Sequence, residues 1–364
     1  MRILVINPGG TSTKISVFED KQEVYKTNIK HTQEDTKNFK SVFQQFEYRK
    51  NLIVNALLEN GFPIASFNCI VGRGGLMKPI PGGTYVINDR MIDDLKNAIS
   101  GEHPSNLGAV IAKNIGDQIG VPSFVVDPVS VDEFQDISRI TGLSDIEKAS
   151  WLHALNHKAV CRKAAEEMGG KYENYNFIVA HLGSGISIGA HHKGKMIDGS
   201  GGRSDGPFSP ERSGGLPTYD LIQLCYSGKY SHEEMVKKVS SVGGMYDYLG
   251  TKDLVEIEER AVNGDEKAGL ILDAFIYKVA KEIAMYGAAL CGEVDKIILT
   301  GGIAYSELIT SQVMKRVSYL APVEIIPGEM EMKALALGAF RVLTKQETAK
   351  DYEYICCKKD LSFE

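Results

Sequence analysis

Three short stretches of the 364-residue sequence set glycine beside hydroxyls or charge. The first is Asn7-Pro8-Gly9-Gly10-Thr11-Ser12-Thr13-Lys14, the second His181-Leu182-Gly183-Ser184-Gly185, and the third Thr300-Gly301-Gly302-Ile303-Ala304. Glycine permits positive φ and a close approach of backbone to ligand, so successive N–H groups can face phosphate oxygens. The hydroxyls add donors and Lys14 adds positive charge. The chemistry these turns suit is the holding of a nucleotide's phosphates. None of them is a GxxxxGK[ST] loop, and no GxGxxG opens a helix. The first two lead from strand to strand. The third joins a strand to a helix N-terminus, a place suited to sugar or phosphate.

Apolar runs and their periods predict the elements that position these turns. Strands are expected near 2–7, 14–19 and 23–30, then a helix across about 36–60 and strands at 67–71 and 84–87. Helices near 90–99 and 105–119 precede a strand at 123–126, which ends on Asp127-Pro128. Residues 132–150 read as a polar connection into a helix over about 151–168. The stretch "NFIVAHLGSGISIGAHHKGKMIDGS" reads as strand, glycine turn and returning strand, with His191 and His192 on the surface. Helices follow at 218–226, 231–239 and 251–261, and the last is either capped by Thr251 or part of a ligand loop around Asp253. The stretch 266–291 is apolar nearly all round and reads as a buried helix. A strand at 296–299, a helix at 304–317, a strand at 323–326 and a helix at 331–344 complete an α/β alternation.

The chain also repeats itself. "ILVINPGGTSTKISVF" and "FIVAHLGSGISIGAHH" share a strand, a polar residue, a glycine turn and a returning strand, with Asn7 and His181 in matching places. Two similar domains, 1–149 and 150–329, are expected to face one another across a cleft, with 330–364 returning to the first. A net charge of −6 gives no general footprint for nucleic acid or anionic lipid. Cys69, Cys161, Cys225, Cys291, Cys356 and Cys357 form no CxxC and read as buried or incidental thiols in a reducing compartment. No run approaches the ~20 apolar residues of a membrane span, and a cytoplasmic location is expected.

The motifs, in order and over nearly the whole chain, resemble those of the acetokinase family, within the acetate and sugar kinase, Hsp70 and actin superfamily. Asn7, Gly9, Thr11, Ser12 and Lys14 fall in register with N-x-G-[ST]-[ST]-S-x-K, while Gly10 stands where acetate kinases usually carry serine. "HLGSGISI" resembles HLGNGxSI, "FSPERSGG" resembles GTRSGD, and "HALNHKAV" resembles HGTSHxxV. "FVVDP" is similar to the FDT segment, "GEHPSNLG" to LHNP and "TGGIAYSE" to TAGIGEN. The resemblance implies two actin-like (ribonuclease H-like) domains with mixed sheets flanked by helices and a cleft between them. It implies ATP and Mg²⁺, and phosphorylation of a short-chain carboxylate. Butanoate is the expected acceptor, and acetate, propionate or a branched-chain acid the alternative. A homo-oligomer, through helix 266–291 or apolar surface near it, is expected to handle small molecules, with no nucleic acid or membrane partner. The rival class is a non-catalytic, actin-like ATP-binding filament or regulator.

The resemblance also assigns residues. Arg212, His153, His181, Asp127 and Arg73 would be catalytic, and Arg73, His103 and Asn106 would bind the acid. Nucleotide contacts would come from Asn7, Gly9, Gly10, Thr11, Ser12 and Lys14 in the first turn, and from His181, Gly183, Ser184 and Gly185 in the second. Asp253, Gly301, Gly302 and Ile303 would complete them. Mg²⁺ would be held at Asn7, Asp127 and Glu329, with Glu331 a close rival because PGEMEM aligns two ways with the family's TNEE. Phosphoryl transfer asks for such a set: cations over the equatorial oxygens, in-line positioning and a metal bridging phosphates. A carboxylate nucleophile is already an anion near neutral pH, so no strong base is required. Two departures stand out. The arginine of acetate kinases falls at Ile70 here and Arg73 takes a histidine's place, so the acyl end is expected to be rebuilt; Leu254 and Val255 replace Phe and Arg after Asp253. His153 and His157 stand i,i+4, a metal spacing, but without a third ligand or an HExxH glutamate zinc is not expected.

Overall fold

The computed structural model describes residues 1–202 and 205–352; Cys356, Cys357 and the end of the returning segment 330–364 lie outside the described residues. The chain forms two compact units, Met1–Asp132 with the segment from Met330, and Glu133–Glu329. The stretch 133–149, expected in the first domain, therefore belongs to the second. Side-chain and backbone bonds draw it there: Glu133 pairs with Lys158 at 2.8 Å, and the Gln135 N–H donates to the Ile197 carbonyl at 3.0 Å.

The first unit opens with β1 (Arg2–Pro8), whose Ile3, Leu4, Val5 and Ile6 are all buried, as befits a central strand covered on both faces. β2 (Ser12–Glu19) and β3 (Gln22–Lys30) return antiparallel beside it. β4 (Cys69–Gly72) and β6 (Ser123–Val126) add parallel on its other side, and β5 (Thr84–Val86) pairs antiparallel to β6. With β12 (Lys350–Asp351) at the edge the sheet order is β12-β5-β6-β4-β1-β2-β3. The helices are α1 (Gln33–Thr36), α2 (Phe46–Glu59), α3 (Asp89–Lys96), α4 (Asn106–Ile119) and, from the end of the chain, α13 (Glu331–Leu343). Leu4, Ile6 and Ile70 share one core with Leu107, Ile111 and Ile115 of α4. At its N-terminal end α4 touches the sheet backbone to backbone. A Cβ on Gly72 would lie 2.2 Å from the Gly108 carbonyl oxygen, so only glycine fits at that crossing.

The expected helix over 36–60 is broken. Backbone N–H groups in the break find side chains instead of helical partners: Lys40 donates to Gln44 Oε1 and Val42 to Glu102 Oε1, each at 2.7 Å. Continuous helix begins only at Phe46.

The second unit carries β7 (Asn176–Leu182), β8 (Ile186–His192), β9 (Lys195–Ser200), β10 (Lys296–Gly301) and β11 (Val323–Pro327), in the order β11-β10-β7-β8-β9. β7, β10 and β11 are parallel, whereas β7, β8 and β9 form an antiparallel meander. This is the arrangement of β6-β4-β1-β2-β3, so the sequence repeat is a repeat of topology. Its helices are α5 (Asp136–Arg139), α6 (Ala154–Glu167), α7 (Thr218–Cys225), α8 (His232–Ser240), α9 (Gly244–Leu249), α10 (Leu254–Val262), α11 (Glu266–Ala289) and α12 (Glu307–Val317).

Four local expectations change here. α6 starts after His153, whose N–H donates to Ser187 Oγ at 3.3 Å instead of entering the helix. α10 is capped by Asp253, not Thr251: its Oδ1 accepts the Val255 N–H at 3.0 Å. α11 is not buried all round. Ile271, Phe275, Val279 and Ile283 face the core, while Leu270, Tyr277 and Met285 are about half exposed or more. His191, expected on the surface, is wholly buried. It shares a face of β8 with Ser187, whereas Ile186, Ile188 and Ala190 alternate onto the face that meets α11. Cys69 and Cys161 are buried, and burial raises both thiols, that of Cys69 to about 12; Cys225 and Cys291 are exposed. Among the described residues no helix is long and apolar enough to cross a membrane.

Candidate active site

At the C-terminal ends of β1 and β4 the first unit opens a cavity of about 380 Å³. The first glycine turn makes one wall, with Asn7, Gly9, Gly10, Thr11, Ser12 and Lys14. Arg73, His103 and Glu331 face them across it, and Leu76 and Val129 supply apolar surface. Glu331 ties the walls together. One carboxylate oxygen accepts the Asn7 side-chain N–H at 2.9 Å, and the other lies 3.0 Å from Arg73 NH2. Arg73 NH1 is buried without a hydrogen-bond partner among the described residues, a donor position that suits an anion. His103 Nδ1 accepts the Ser105 backbone N–H at 3.2 Å and lies 2.7 Å from Ser105 Oγ. A backbone N–H can only donate, so the His103 proton sits on Nε2. Partial desolvation, then the Arg73 charge, lowers the His103 pKa, which keeps that ring a neutral donor.

Beneath the turn stands a residue whose importance no motif announced. Arg49 on α2 is 1% exposed, and its NH1 donates to the Gly9 carbonyl at 2.9 Å and to Thr13 Oγ1 at 3.1 Å. Gln45 Oε1 accepts two further N–H groups from it, at 2.9 and 2.8 Å. His31 Nε2 completes the group 2.8 Å from Thr13 Oγ1; burial first, then Arg49, lowers its pKa to about 4. The guanidinium thus pulls hairpin carbonyls inward, toward the protein. Neither Gly9 nor Gly10 has positive φ, and a Cβ on Gly10 would meet nothing within 4 Å. The serine of acetate kinases would fit there; the turn does not depend on glycine at that position.

Two residues expected at the site make bonds within the first unit. Asp127 ends β6 on the same edge of the sheet as Asn7 and Arg73, but it is wholly buried, and its Oδ1 accepts the Gly83 N–H at 2.7 Å. It clamps that turn and does not line the cavity. Asn106, expected to bind the acid, accepts the Leu76 N–H at 2.9 Å and donates to the Gly101 carbonyl at 3.1 Å. With both ends of its amide engaged, it shapes the wall that carries Leu76.

In the second unit His181 leaves the end of β7 and stacks on His153, with ring centroids 4.0 Å apart and planes 10° apart. Asn156 on α6 donates to His181 Nδ1 at 3.0 Å and to Thr300 Oγ1 at 3.2 Å. Thr300 Oγ1 in turn donates to the Gly328 carbonyl at 3.1 Å. His181 Nε2 lies 3.6 Å from Glu329 Oε1. Glu329 therefore groups with His181, and Glu331 is the carboxylate beside Asn7. Arg212 packs over the second glycine turn so closely that a Cβ on Gly185 would stand 2.9 Å from its NH1. Ser209 holds the loop: its Oγ donates to the Ser184 carbonyl at 2.7 Å and accepts the Arg212 N–H at 3.1 Å. Among the described residues the Arg212 guanidinium has no hydrogen-bond or ion-pair partner. Gly183 and Ser184 form the turn's open edge, and Gly185 is buried. Gly301 needs its type, with φ of 90° and a would-be Cβ 2.3 Å from the Leu182 carbonyl oxygen. Gly302 is exposed and Ile303 buried at the start of the short turn before α12. Asp253, expected at the nucleotide, caps α10 through Oδ1.

The acetokinase family model matches residues 149–349. Over 353 residues the chain is 48% identical to butyrate kinase 1 of Clostridium acetobutylicum, a match covering 97% of this chain and 99% of that one. It is 46% identical over 352 residues to a probable butyrate kinase of Clostridium botulinum, covering 96% and 99%. The fold is similar to that of the acetate kinase of Porphyromonas gingivalis, with a TM-score of 0.77 at 19% identity over 94% of this chain and 99% of that one. The chain belongs to the acetokinase family and is a phosphotransferase that acts on carboxylates.

Proposed function

We propose that this kinase converts butanoate and ATP to butanoyl phosphate and ADP by direct in-line transfer. A carboxylate oxygen attacks the γ-phosphorus, the bond from that phosphorus to the β-γ bridging oxygen breaks, and ADP leaves. The observation that carries this reading is Arg73, with NH2 on Glu331, an unpartnered buried NH1, and a cavity bearing Leu76 and Val129. A guanidinium recognises a carboxylate through paired N–H groups, and the apolar wall suits a short alkyl chain. The names of the two clostridial relatives support butanoate over smaller acids. His103 supplies a neutral N–H donor to the acid. The Asn7–Lys14 turn binds phosphate oxygens, as do Gly183 and Ser184 of the second turn. Arg212, His181 and His153 donate to the phosphoryl group as charge builds on it.

Mg²⁺ prefers few carboxylates plus phosphate and water. The Glu331 carboxylate beside Asn7, rather than the clamped Asp127, fits that demand. Bound there, the metal would neutralise phosphate charge and fix phosphate orientation. Exposed Ile137, Ile140, Leu143 and Ile146 support a homo-oligomer, and the free thiols suit the cytoplasm.

Incubation with MgATP, hydroxylamine and linear or branched acids of two to six carbons tests the reaction through acyl hydroxamate. The greatest kcat/KM is expected with butanoate. A maximum at acetate would overturn the assignment of the acid, and no hydroxamate with any acid would overturn the reaction.

A further inference from the structure

Behind His153 runs a file of polar side chains that the transfer reaction does not itself use. Tyr172 Oη lies 2.6 Å from His191 Nδ1, and His191 Nε2 lies 3.2 Å from His157 Nδ1. His157 Nε2 is 2.9 Å from Ser187 Oγ, which is 2.7 Å from His153 Nδ1. Tyr172 is 3% exposed, and His191, His157 and Ser187 are wholly buried. Burial is the largest cause that pushes the pKa of both His157 and His191 well below the ordinary imidazole value. Each of these rings is therefore neutral, with one donor nitrogen and one acceptor.

A file of neutral rings linked end to end has only two polarities. Either every proton points toward His153, or every one points away. The end groups decide. Phenol, with an ordinary pKa near 10, is the most acidic donor in the file, and an imidazole nitrogen is the best acceptor. The Lys158 ammonium, 5.4 Å from the Tyr172 ring centroid, favours electron density on the phenol and strengthens it as a donor. Tyr172 then donates to His191 Nδ1, His191 Nε2–H to His157 Nδ1, and His157 Nε2–H to Ser187 Oγ. Ser187 also accepts the His153 backbone N–H at 3.3 Å, so its own proton goes to His153 Nδ1 and its bonding capacity is filled.

We propose that Tyr172, acting through His191, His157 and Ser187, is a positioning residue that fixes His153 as the tautomer protonated on Nε2. The benefit rests on the reading that His153 donates to the phosphoryl group. With the proton fixed on Nε2, His153 meets an anionic oxygen with a donor; with the proton on Nδ1, it would offer a repelling lone pair. The dipole is set before the reaction begins, so no reorganisation is required as charge develops.

Long-range ¹H–¹⁵N spectra of histidine-labelled protein report which ring nitrogen carries each proton, and His153→Gln assigns the His153 signals. In the native protein His153 is expected to be protonated on Nε2. Tyr172→Phe should give averaged tautomers at His191, His157 and His153, and lower kcat about tenfold, the fold-change of one hydrogen bond's net strength. Ser187→Ala cuts the last link alone, and should average His153 while His157 and His191 keep their tautomers; it serves also if Tyr172→Phe fails to fold. Nδ1 protonation of His153 in the native protein, or unchanged His153 tautomers in both variants, overturns the relay. Averaged His153 tautomers with unchanged kcat uphold the relay and overturn instead the reading of His153 as a phosphoryl donor.

Discussion

Arg49→Met keeps most of the aliphatic stem under the first glycine turn and removes its donors. The loss falls unevenly. The bond to the Gly9 carbonyl, at 2.9 Å, is a well-formed charge-assisted one and contributes about 1.5–3 kcal/mol. Thr13 Oγ1 keeps its contact with His31, and half-buried Gln45 can turn to water. The bond to the Gly10 carbonyl, at 3.5 Å, is too long to count for much. Against these losses stands relief of a desolvation penalty, which for a buried ion is several kcal/mol. The expected net fall in global stability is therefore small, about 1–2 kcal/mol. The local effect is larger. With no guanidinium beneath them the Gly9 and Gly10 carbonyls can rotate, and the hairpin loses its preset orientation. The KM for ATP should rise about tenfold while that for the acid changes little, since one orienting hydrogen bond accounts for ~1.4 kcal/mol. Urea unfolding and initial rates by hydroxamate formation measure the two parts. An unchanged KM for ATP in a stably folded variant would refute the orienting role. A stability loss above about 4 kcal/mol would mark Arg49 as a core strut instead.

Two further outcomes follow from the same geometry. Arg212→Ala removes the guanidinium over Gly185 and should lower kcat by about 10³-fold or more, the low end for an arginine that neutralises a transferring phosphoryl, while calorimetry still detects nucleotide binding; near-normal turnover would remove Arg212 from the mechanism. His31, with its pKa lowered to about 4, is neutral in the native state but takes a proton in the unfolded chain below pH 6.5, so stability should fall as pH drops from 6.5 toward 4. His157 and His191 act in the same direction. The His31 part amounts to ~3 kcal/mol at most, and His31→Gln should flatten the slope in urea unfolding between pH 7 and 5; an equal or steeper slope would refute it.

What the sequence disclosed, and what it hid, divides along physical lines. β1 and β7 are continuous apolar runs, each stopped by a polar residue and a glycine turn, and that local pattern was enough to reveal the duplicated topology. The third turn was legible because Gly301 has a backbone reason to be glycine. Arg49 was not, for it reaches the hairpin from α2 through a long side chain, and nothing local marks it out from Lys50 beside it. Which of Glu329 and Glu331 stands beside Asn7 depends on where α13 begins, a difference of half a helical turn that alignment leaves open. His191 was misread because the returning strand is buried on both faces. The strand period of two does put Ser187 and His191 on one side, and His157 lies one helical turn into α6 from its N-cap, His153. Neither period tells that the two sides meet.

The division of the first unit between the two ends of the chain has a consequence for synthesis. Asn7 and Arg73 leave the ribosome early, but Glu331, which bonds to both, follows the whole of the second unit. At ~5–20 residues per second the stretch 133–329 takes on the order of 10–40 s to make. During that interval the nascent first unit holds the first glycine hairpin and Arg73 without the carboxylate that links them. A chain that stopped before α13 would lack Glu331 and both of its bonds, to Asn7 and to Arg73.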